Sequence, residues 1–286
     1  MAKKKSAGYE TYIATSTPAV RVVGAGAAVQ SAYKIEVRFL GGLTTAQKNA
    51  FKTAADRWAK VIVGDLPSVR VDGEIIDDLL ILAQGTAIDG SGGILGQAGP
   101  THLRPAAAGK FKFLPVKGIM SFDSADLKSM QTDGTLKDVI THEMGHVIGI
   151  GTIWERKGLL KGAGTNTTRF VGKAARAEFG KLKKGKAADV PVENTGGPGT
   201  ADGHWRESVF RNELMSGFIA APNNPLSRLT VASLQDMGYV VDLSKAEPYK
   251  LPNLLALAAA GATSTHDEPH ALPIIPMVVP DDSLID

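Results

Sequence analysis

The chain has 286 residues, of which 43% are hydrophobic, so it is long enough for one large domain or two small ones with a substantial core. Its formal net charge of +3 is too small to indicate a nucleic-acid partner, and it contains no cysteine. Disulfides and thiolate metal sites are therefore excluded, and any zinc ion must be bound by histidine and carboxylate side chains. The longest apolar run, residues 254–262, is too short to span a bilayer, so no membrane span is expected.

Residues 1–30 are expected to form a flexible lead-in or a pro-segment. They begin with a basic run, residues 3–5, but no apolar stretch of the kind found in signal peptides follows it. The sequence therefore predicts no standard signal peptide, which leaves a cytoplasmic location or export by a leaderless route.

The next part of the chain predicts strands and one amphipathic helix. Residues 33–39 alternate between polar and apolar side chains, which is typical of a half-buried strand. Thr44 or Thr45 can cap a helix that runs to about Val61 and buries Trp58. Further strands are predicted at residues 69–71 and 78–83, as a pair, and at residues 118–123.

A glycine-rich stretch, residues 90–100, has two interpretations. Pro100 and several glycines make it unsuitable as a central strand but acceptable as an edge strand. An open edge near an active site can pair with an extended peptide through main-chain hydrogen bonds. An ordinary exposed loop explains the same residues equally well, so both alternatives stay open.

The strongest chemical signal lies in residues 141–149, which read T-H-E-M-G-H-V-I-G. His142, Glu143 and His146 match the pattern H-E-x-x-H of zinc proteases. Residues four apart lie one turn apart on one face of an α-helix, so both imidazoles can reach one Zn²⁺ ion at roughly 2.0–2.1 Å. Glu143 lies beside them and can act as a general base toward a zinc-activated water.

Chance is the alternative explanation of this motif. The pattern arises by chance about once in a hundred chains of this length. Glu143, however, projects into the apolar arc of the predicted helix, where a buried carboxylate without a partner would be costly. A nearby cation removes this cost, so a metal site is the preferred interpretation.

The helix that carries this motif is expected to be capped by Thr132 or Asp133. The chain is expected to turn after it at Gly149 and Gly151, through the positive φ that glycine allows.

Two histidines do not complete a catalytic zinc site, which usually has three protein ligands and one open position. Of the other histidines, His102 is interpreted as a surface residue. His266 and His270 copy the ligand spacing, but Pro269 prevents a helical turn there. His204 stands out because Trp205 follows it directly and the sequence N-E-L-M-S-G follows a few residues later.

This combination of motifs resembles the metzincin metallopeptidases and, among them, the leishmanolysin family. In metzincins an H-E-x-x-H-x-x-G helix is followed by a third histidine and then by a methionine in a tight turn beneath the metal. The leishmanolysin group has a long insertion before that histidine. The resemblance covers roughly residues 33–241 and implies that His204 is the third zinc ligand, that Met215 is the methionine of the turn, and that Gly149 turns the chain. It also identifies residues 226–239 with the C-terminal helix of that fold.

The resemblance implies an α+β fold of the zincin and metzincin type. This fold has a twisted mixed sheet with a backing helix and a zinc-binding active-site helix, followed by a C-terminal lobe with the Met-turn and a terminal helix. The sequence predicts a catalytic domain at residues 31–250, followed by a loosely ordered tail at 251–286. The catalytic domain is expected to have an N-terminal lobe at 31–150 and a C-terminal lobe at 151–250, which contains the long insertion at 152–203. The insertion is expected to be mostly surface loop, with one helix near residues 171–179.

The function that follows is that of a zinc-dependent endopeptidase. One catalytic Zn²⁺ ion would be bound by His142, His146 and His204, with Glu143 as general base and a peptide or protein as substrate. The alternative is a zinc-binding interaction or adhesion module without proteolytic activity, which is less favoured because the metal does not need Glu143. A structural zinc site would need a fourth protein ligand, for which the sequence offers no candidate.

Two further expectations are weaker. Asp189 and Asp202 in the insertion could bind calcium, but no accompanying ligand pattern indicates a site. The family resemblance favours an extracellular location, and the oligomeric state is not indicated by the sequence.

Overall fold

The computed structural model describes residues 8–17, 20–23, 26–29, 31–92, 94–197, 199–219, 221–253, 271–272 and 274–285. It is a mixed α+β structure around a twisted mixed sheet, as the sequence predicts. The helices are α1 (Thr45–Val61), α2 (Ser124–Asp133), α3 (Leu136–Ile148), α4 (Lys173–Leu182), α5 (Glu207–Phe210) and α6 (Arg228–Met237). The strands are β1 (Glu10–Thr15), β2 (Val20–Val23), β3 (Gly26–Val29), β4 (Lys34–Gly41), β5 (Val69–Val71), β6 (Glu74–Ile76), β7 (Leu79–Thr86), β8 (Gly96–Leu103), β9 (Pro115–Asp123), β10 (Leu160–Lys161), β11 (Arg169–Phe170), β12 (Val190–Pro191), β13 (Ala271–Leu272) and β14 (Met277–Val278).

The main sheet has the strand order β1-β4-β7-β9-β8-β13, and β14 also pairs with β8. β4, β7 and β9 are parallel, whereas β1 and β8 run antiparallel to β4 and β9. The alternation of β4 places its apolar side chains in the core, and β7 is buried at four of its first five positions because it lies between two parallel neighbours. The glycine-rich stretch forms a strand from Gly96 onward, and among the described residues its outer side pairs with the two-residue strands β13 and β14.

α1 is the backing helix and packs against β1, β4 and α3. The hydroxyl of Thr44 accepts the N–H of Gln47, and the Gln47 side chain accepts the N–H of Thr44. This reciprocal cap confirms the predicted helix start at Thr44. Phe51 and Trp58 are completely buried on the inner face of α1, so the predicted core position of Trp58 is also confirmed.

The predicted pairing of residues 69–71 with residues 78–83 is wrong, although both segments are strands. β5 pairs with β6 in a hairpin, and β7 lies between β4 and β9. Asp72 and Gly73 both have positive φ, 52° and 80°, and form the two-residue turn of this hairpin. Such a turn matches the twist of the flanking strands and closes the hairpin locally, before the chain reaches β7.

The predicted cap at Thr132 or Asp133 of the helix that carries His142 and His146 is also wrong. Both residues belong to the end of α2, which stops at Gly134 with a φ of 86°. Thr135 is the N-cap of α3, and Asp133 Oδ1 accepts hydrogen bonds from its N–H and hydroxyl. Asp and Thr are common both at helix starts and in turns, so these residue types do not locate the boundary between α2 and α3. The boundary is set by Gly134, whose left-handed conformation ends α2.

The predicted insertion contains more packed structure than a surface loop. The predicted helix near residues 171–179 is confirmed as α4, which packs against α6. In addition, β10, β11 and β12 form a three-stranded sheet. Trp154, Phe170 and Trp205 are fully buried, and their ring centroids lie 4.7–5.4 Å apart. The surface-loop prediction is therefore wrong for this part of the insertion, because these widely spaced aromatic residues form a core only after the chain has folded back on itself.

Part of each predicted flexible end adds to the main sheet. β1 pairs with β4, and β13 and β14 pair with β8, so the described residues 10–15, 271–272 and 277–278 are not loose. Unpaired main-chain groups at a sheet edge accept any extended segment, whatever its side chains, which a composition-based prediction does not capture. Residues 254–270, which include His266 and His270, lie outside the described residues.

Among the described helices, none is both long and apolar enough to cross a bilayer.

Candidate metal centre

α3 presents His142 and His146 one turn apart on a helix that is buried at nearly every position. Its position depends on α1, because Trp58 Nε1–H donates to the main-chain oxygen of Thr141 at 2.9 Å. This hydrogen bond satisfies the polar atoms of a buried indole and a buried peptide group. α3 is thus held at a fixed depth against the core.

The chain turns sharply after α3, at Gly149 and Gly151. Their φ values of 116° and 75° lie in the region that glycine adopts without strain. A Cβ atom at Gly151 would lie 2.1 Å from the carbonyl oxygen of Gly203. Glycine is therefore required for the segment that carries His204 to approach the end of α3.

His204 is held by the main chain on both sides. Its carbonyl oxygen accepts the N–H of Glu193 at 2.8 Å, and the N–H of the next residue, Trp205, donates to the carbonyl oxygen of Met215 at 2.9 Å. The Trp205 indole N–H donates to Thr230 Oγ1 of α6 at 2.8 Å. Trp205 is completely buried, so it anchors the segment.

The three imidazoles converge on one point. The Nε2 atoms of His142 and His204 lie 3.0 Å apart, those of His142 and His146 3.0 Å, and those of His146 and His204 2.9 Å. All three side chains are buried, with relative exposures of 5–8%. The tertiary fold therefore brings together the three histidines that the sequence singles out, as a group that could hold a metal ion.

The other ring nitrogen of each histidine contacts a main-chain oxygen. The Nδ1 atoms of His142, His146 and His204 lie 2.7 Å from Leu214 O, 2.9 Å from Ile150 O and 2.8 Å from Thr200 O. A carbonyl oxygen only accepts, so each Nδ1 carries the proton and each Nε2 of the neutral ring presents a lone pair. Three lone pairs then face one another without a proton between them.

These residues fit a zinc ion. A tetrahedral ion at about 2.05 Å from three nitrogens would hold them about 3.3 Å apart, within a few tenths of an ångström of the observed spacing. Burial and repulsion by His146 lower the pKa of His142 to about 3. Burial and repulsion by His204 likewise lower the pKa of His146 to about 3. Neutral imidazoles are the form that binds a metal, and the Nδ1–H···O=C contacts fix their orientation.

Glu143 is the buried carboxylate beside the three histidines. It is 7% exposed, and its Oε2 atom has no hydrogen-bond partner. Burial raises the pKa of Glu143 to about 8. A carboxyl group that is buried without a partner is a costly arrangement that a nearby cation would relieve.

Met215, which the sequence resemblance expects in a turn below a metal ion, packs against α3 at Gly145. It is completely buried, and a Cβ atom at Gly145 would lie 2.8 Å from Met215 Sδ and 2.9 Å from Trp58 Cζ2. Gly145 thus lets the methionine and the tryptophan approach the backbone of α3 between the two histidines.

Glu213 is a supporting residue that sequence reasoning missed. It is completely buried, and its carboxylate accepts the N–H of Met215 at 2.7 Å and the hydroxyls of Ser227 and Thr230 at 2.6 and 2.5 Å. Burial raises the pKa of Glu213, and these hydrogen bonds oppose that rise. The turn that contains Met215 is therefore fixed to the start of α6. A lone glutamate next to the N-E-L-M-S-G methionine offers no signal in the sequence from which this role could be read.

The three histidines and Glu143 line a cavity of about 290 Å³, here called the histidine cavity. Its wall combines polar residues near the metal centre with apolar side chains that sequence reasoning did not assign to the site. The apolar side chains are Leu95, Ala98, Val139, Leu160, Phe218, Ile219 and Ile274. The cavity can therefore bind a ligand through apolar contacts and present one bond of that ligand to the histidines.

The two aspartates proposed as calcium ligands are not brought together with other ligands among the described residues. Asp189 forms an ion pair with Arg176 at 2.8 Å, and Asp202 Oδ2 accepts the N–H of Gly164. His102, which the sequence leaves out of the site, contacts the hydroxyl of Thr101 at 3.0 Å on β8.

Comparison with known proteins agrees with this geometry. The family model described as leishmanolysin, of the M8 peptidases, matches residues 110–258, about half of the chain and all of the residues discussed as ligands. Leishmanolysin of Leishmania donovani is 30% identical over 146 residues, which are 46% of this chain and 24% of that protein. The chain thus matches about a quarter of the length of this relative.

Proposed function

The chain belongs to the leishmanolysin family of metallopeptidases, and from this premise we propose that it is a zinc-dependent endopeptidase. In this proposal His142, His146 and His204 hold one Zn²⁺ ion, and Glu143 is the general base. The observation that carries it is the convergence of three proton-free Nε2 atoms, 2.9–3.0 Å apart, in the cavity that Glu143 also lines.

The chemistry divides between the ion and the chain. Bound zinc would polarise the scissile carbonyl group and lower the pKa of a water molecule. Glu143 takes the proton from the attacking water and delivers it to the leaving amine. Burial favours the protonated form of Glu143, and a neighbouring cation favours its carboxylate. Because the two effects oppose each other, Glu143 can both accept a proton from water and give it to the leaving amine.

The other residues act by position. The carbonyl oxygens that accept from the Nδ1–H groups orient the three imidazoles, and Glu213 fixes the turn of Met215 below them. We propose that this turn corresponds to the Met-turn of metzincins. The apolar side chains of Leu95, Val139 and Phe218 in the wall of the histidine cavity hold the side chains of a peptide and exclude water from the reacting bond.

A catalytic ion suits the donor set better than a structural ion. Among the described residues, the group around the three imidazoles includes no fourth histidine or carboxylate ligand. A closed structural zinc site has four protein ligands, whereas a catalytic site keeps one position open. Peptide or protein substrates follow from the family.

The test is zinc content and casein hydrolysis measured side by side for the wild type, Glu143→Gln and Glu10→Gln. The wild type is expected to contain one zinc ion and to cleave casein. Glu143→Gln is expected to keep the zinc and to lose about a factor of 10³ in hydrolysis, because only the general base is removed. Glu10 lies on β1 with half of its side chain exposed, so Glu10→Gln should match the wild type.

Three other results would contradict parts of the proposal. Undiminished hydrolysis by Glu143→Gln would remove Glu143 as the base. Absence of zinc from the wild type would remove the metal centre. Zinc in both forms with no cleavage by the wild type or by an Ile274→Asn variant would favour the zinc-binding interaction module.

A further inference from the structure

The outer side of β8 is the part of the main sheet that borders the histidine cavity. Ala98 of β8 and Leu95 just before it line the cavity together with the metal-centre residues. The inner side of β8 pairs antiparallel with β9. An extended polypeptide bound in the cavity would find its main-chain partners on the outer side of this strand.

The C-terminal part of the chain occupies that outer side. β13 pairs in parallel with Gly96 and Gln97, and β14 pairs in parallel with His102 and Leu103. Residues 274–276, which lie between these contacts, therefore pass along the middle of β8. We call residues 271–272 and 274–278 the C-terminal strap.

Ile274 connects the C-terminal strap to the metal centre. It lines the histidine cavity together with His142, Glu143, His146 and His204. Its Cβ atom lies 3.5 Å from the position that a Cβ atom would take at Gly99, in the middle of β8. The next residue, Ile275, is 91% exposed, so the two neighbouring isoleucines have opposite environments.

The chain beyond the strap is attached to the body of the protein. The N–H of Val279 donates to the carbonyl oxygen of Leu103 at 3.0 Å, and Val279 is buried against Val69 and Val116 in a second apolar cluster. The N–H of Ile285 donates to the carbonyl oxygen of Ser68 at 2.9 Å. This attachment keeps the strap close to β8 even when its own pairing is broken.

The strap itself is held weakly. β13 and β14 each contain two residues, and Pro276 between them has no N–H group to donate. A longer extended peptide could pair with more residues of β8 than the strap does and would displace the strap. Since one edge of β8 accepts one partner at a time, the strap and an extended substrate exclude each other.

We propose that the C-terminal strap is an internal competitive inhibitor, which occupies the outer edge of β8 and fills part of the histidine cavity with Ile274. This inference rests on the proposed peptidase function and adds a regulatory step to it. The strap and β8 both lie outside residues 110–258, the region matched to the leishmanolysin family. The inhibition is therefore a property of this chain and not of the matched region.

A matched pair of variants tests the competition. Ile274→Asn places a polar group in the apolar part of the cavity and is expected to lower the KM for a peptide substrate about three- to ten-fold with kcat unchanged, because a larger fraction of molecules has a free edge. Ile275→Asn makes the same chemical change at the exposed neighbour and should match the wild type. Equal KM values for the two variants would overturn the inference.

A disulfide provides a second test that also reports the position of the strap. The Cβ separation of 3.5 Å between residues 99 and 274 lies within the range of disulfides, and the chain has no cysteine of its own. The double variant Gly99→Cys with Ile274→Cys should form the disulfide, lose casein hydrolysis when oxidised and regain it on reduction. Gly99→Cys with Ile275→Cys is the control; it should keep free thiols, and its casein hydrolysis should be the same under oxidising and reducing conditions.

The results distinguish failure of the strap from failure of the proposed function. Free thiols in the Gly99 and Ile274 variant after oxidation, measured by mass spectrometry, would show that the strap does not lie on β8. A complete disulfide with equal hydrolysis in the oxidised and reduced forms would overturn the inhibition and leave the peptidase intact. No hydrolysis in any form, including Ile274→Asn with bound zinc, would overturn the peptidase function and with it the inhibition.

Discussion

At the scale of single residues, the metal centre depends on main-chain groups as much as on the histidines. The three Nδ1 atoms each contact a carbonyl oxygen, from Leu214, Ile150 and Thr200, and these residues belong to three separate segments. Any residue type supplies a carbonyl oxygen, so a sequence pattern cannot reveal these partners. The imidazole orientation is therefore a consequence of the fold.

Gly145 illustrates how a small residue sets the position of its neighbours. Alanine is the better helix former by up to about 1 kcal/mol, yet this position of α3 has glycine. The reason is space, because a Cβ atom there would lie less than 3.0 Å from Met215 Sδ and Trp58 Cζ2. The contact of these two side chains with α3 is possible only without a side chain at residue 145.

Gly145→Ala is therefore expected to lower the free energy of unfolding by about 2 kcal/mol, as forced overpacking does, although alanine favours helices. Urea denaturation measures the change. Gly185→Ala is the control, since its new Cβ atom would have no neighbour closer than 3.9 Å, and it should stay within about 0.5 kcal/mol of the wild type. A stability gain for Gly145→Ala would mean that the space around the helix is less restricted than the structure shows.

At the scale of elements, α3 is fixed near its start by an ionic cluster. Asp138 of α3 contacts Arg57 of α1 at 3.1 Å and accepts the main-chain N–H groups of Asn223 and Asn224. Arg57 also forms two hydrogen bonds with Glu247, at 2.8 and 2.6 Å. The cluster joins α1, α3 and the segments on both sides of α6, so it holds the histidine helix in register with the part of the chain that follows the Met215 turn.

The acid stability of the protein should reflect Glu247. Burial raises the pKa of Glu247, but hydrogen bonds from Arg57 and from the N–H of Leu226 outweigh it, so the pKa lies below its usual value. The native carboxylate then contributes stability that is fully present above the unfolded-state pKa of about 4.3 and is lost as the pH falls through the native pKa. The difference in unfolding free energy between the wild type and Glu247→Gln is expected to be largest near neutral pH and to shrink below about pH 4.3.

Thermal unfolding at a series of pH values measures this difference. In an Arg57→Met background the difference caused by Glu247→Gln should no longer shrink in the same way below about pH 4.3, because the side chain that most lowers the pKa of Glu247 is absent. An unchanged pH dependence in that background would show that Arg57 is not the group that lowers the pKa of Glu247.

At the scale of the whole molecule, the fold closes a long loop to bring His204 to α3. The closure depends on the aromatic core of Trp154, Phe170 and Trp205 and on the glycine contact between Gly151 and Gly203. Loop closure costs entropy that grows only slowly with length, so a packed insertion can meet this cost. A metal ion bound to all three histidines would connect the two sides further.

Zinc is therefore expected to stabilise the wild type. At a free zinc concentration a thousand times Kd the gain is about 4 kcal/mol, which for a chain of this size raises Tm by roughly 8 °C. His204→Ala should lose most of this gain and His102→Ala should keep it, because His102 lies on β8 beside Thr101 and away from the three histidines. Scanning calorimetry with and without a chelator measures both, and an equal zinc response of the two variants would remove His204 from the ligand set.

The sequence could predict the features that depend on a few neighbouring residues. The cap at Thr44, the strand alternation of β4 and the strand β9 follow from local propensity and periodicity. The start of α3 was not predictable to within two residues, since Asp133 and Thr135 both favour a cap and the left-handed Gly134 decides between them. The pairing partner of β5 was likewise decided by a local turn that propensity did not weigh.

The sequence by itself determined the spacing of His142, Glu143 and His146, because the period of a helix is a local property, and the family through the motifs that follow. Only the tertiary structure decided which carbonyl oxygens orient the imidazoles, how Glu213 supports the Met215 turn, and that the C-terminal strap lies on β8 with Ile274 in the histidine cavity. These contacts join segments far apart in the chain, and their free energy comes from burial and main-chain hydrogen bonds that many sequences can provide. The local pattern fixes the chemistry of the site, and long-range packing decides what can reach it.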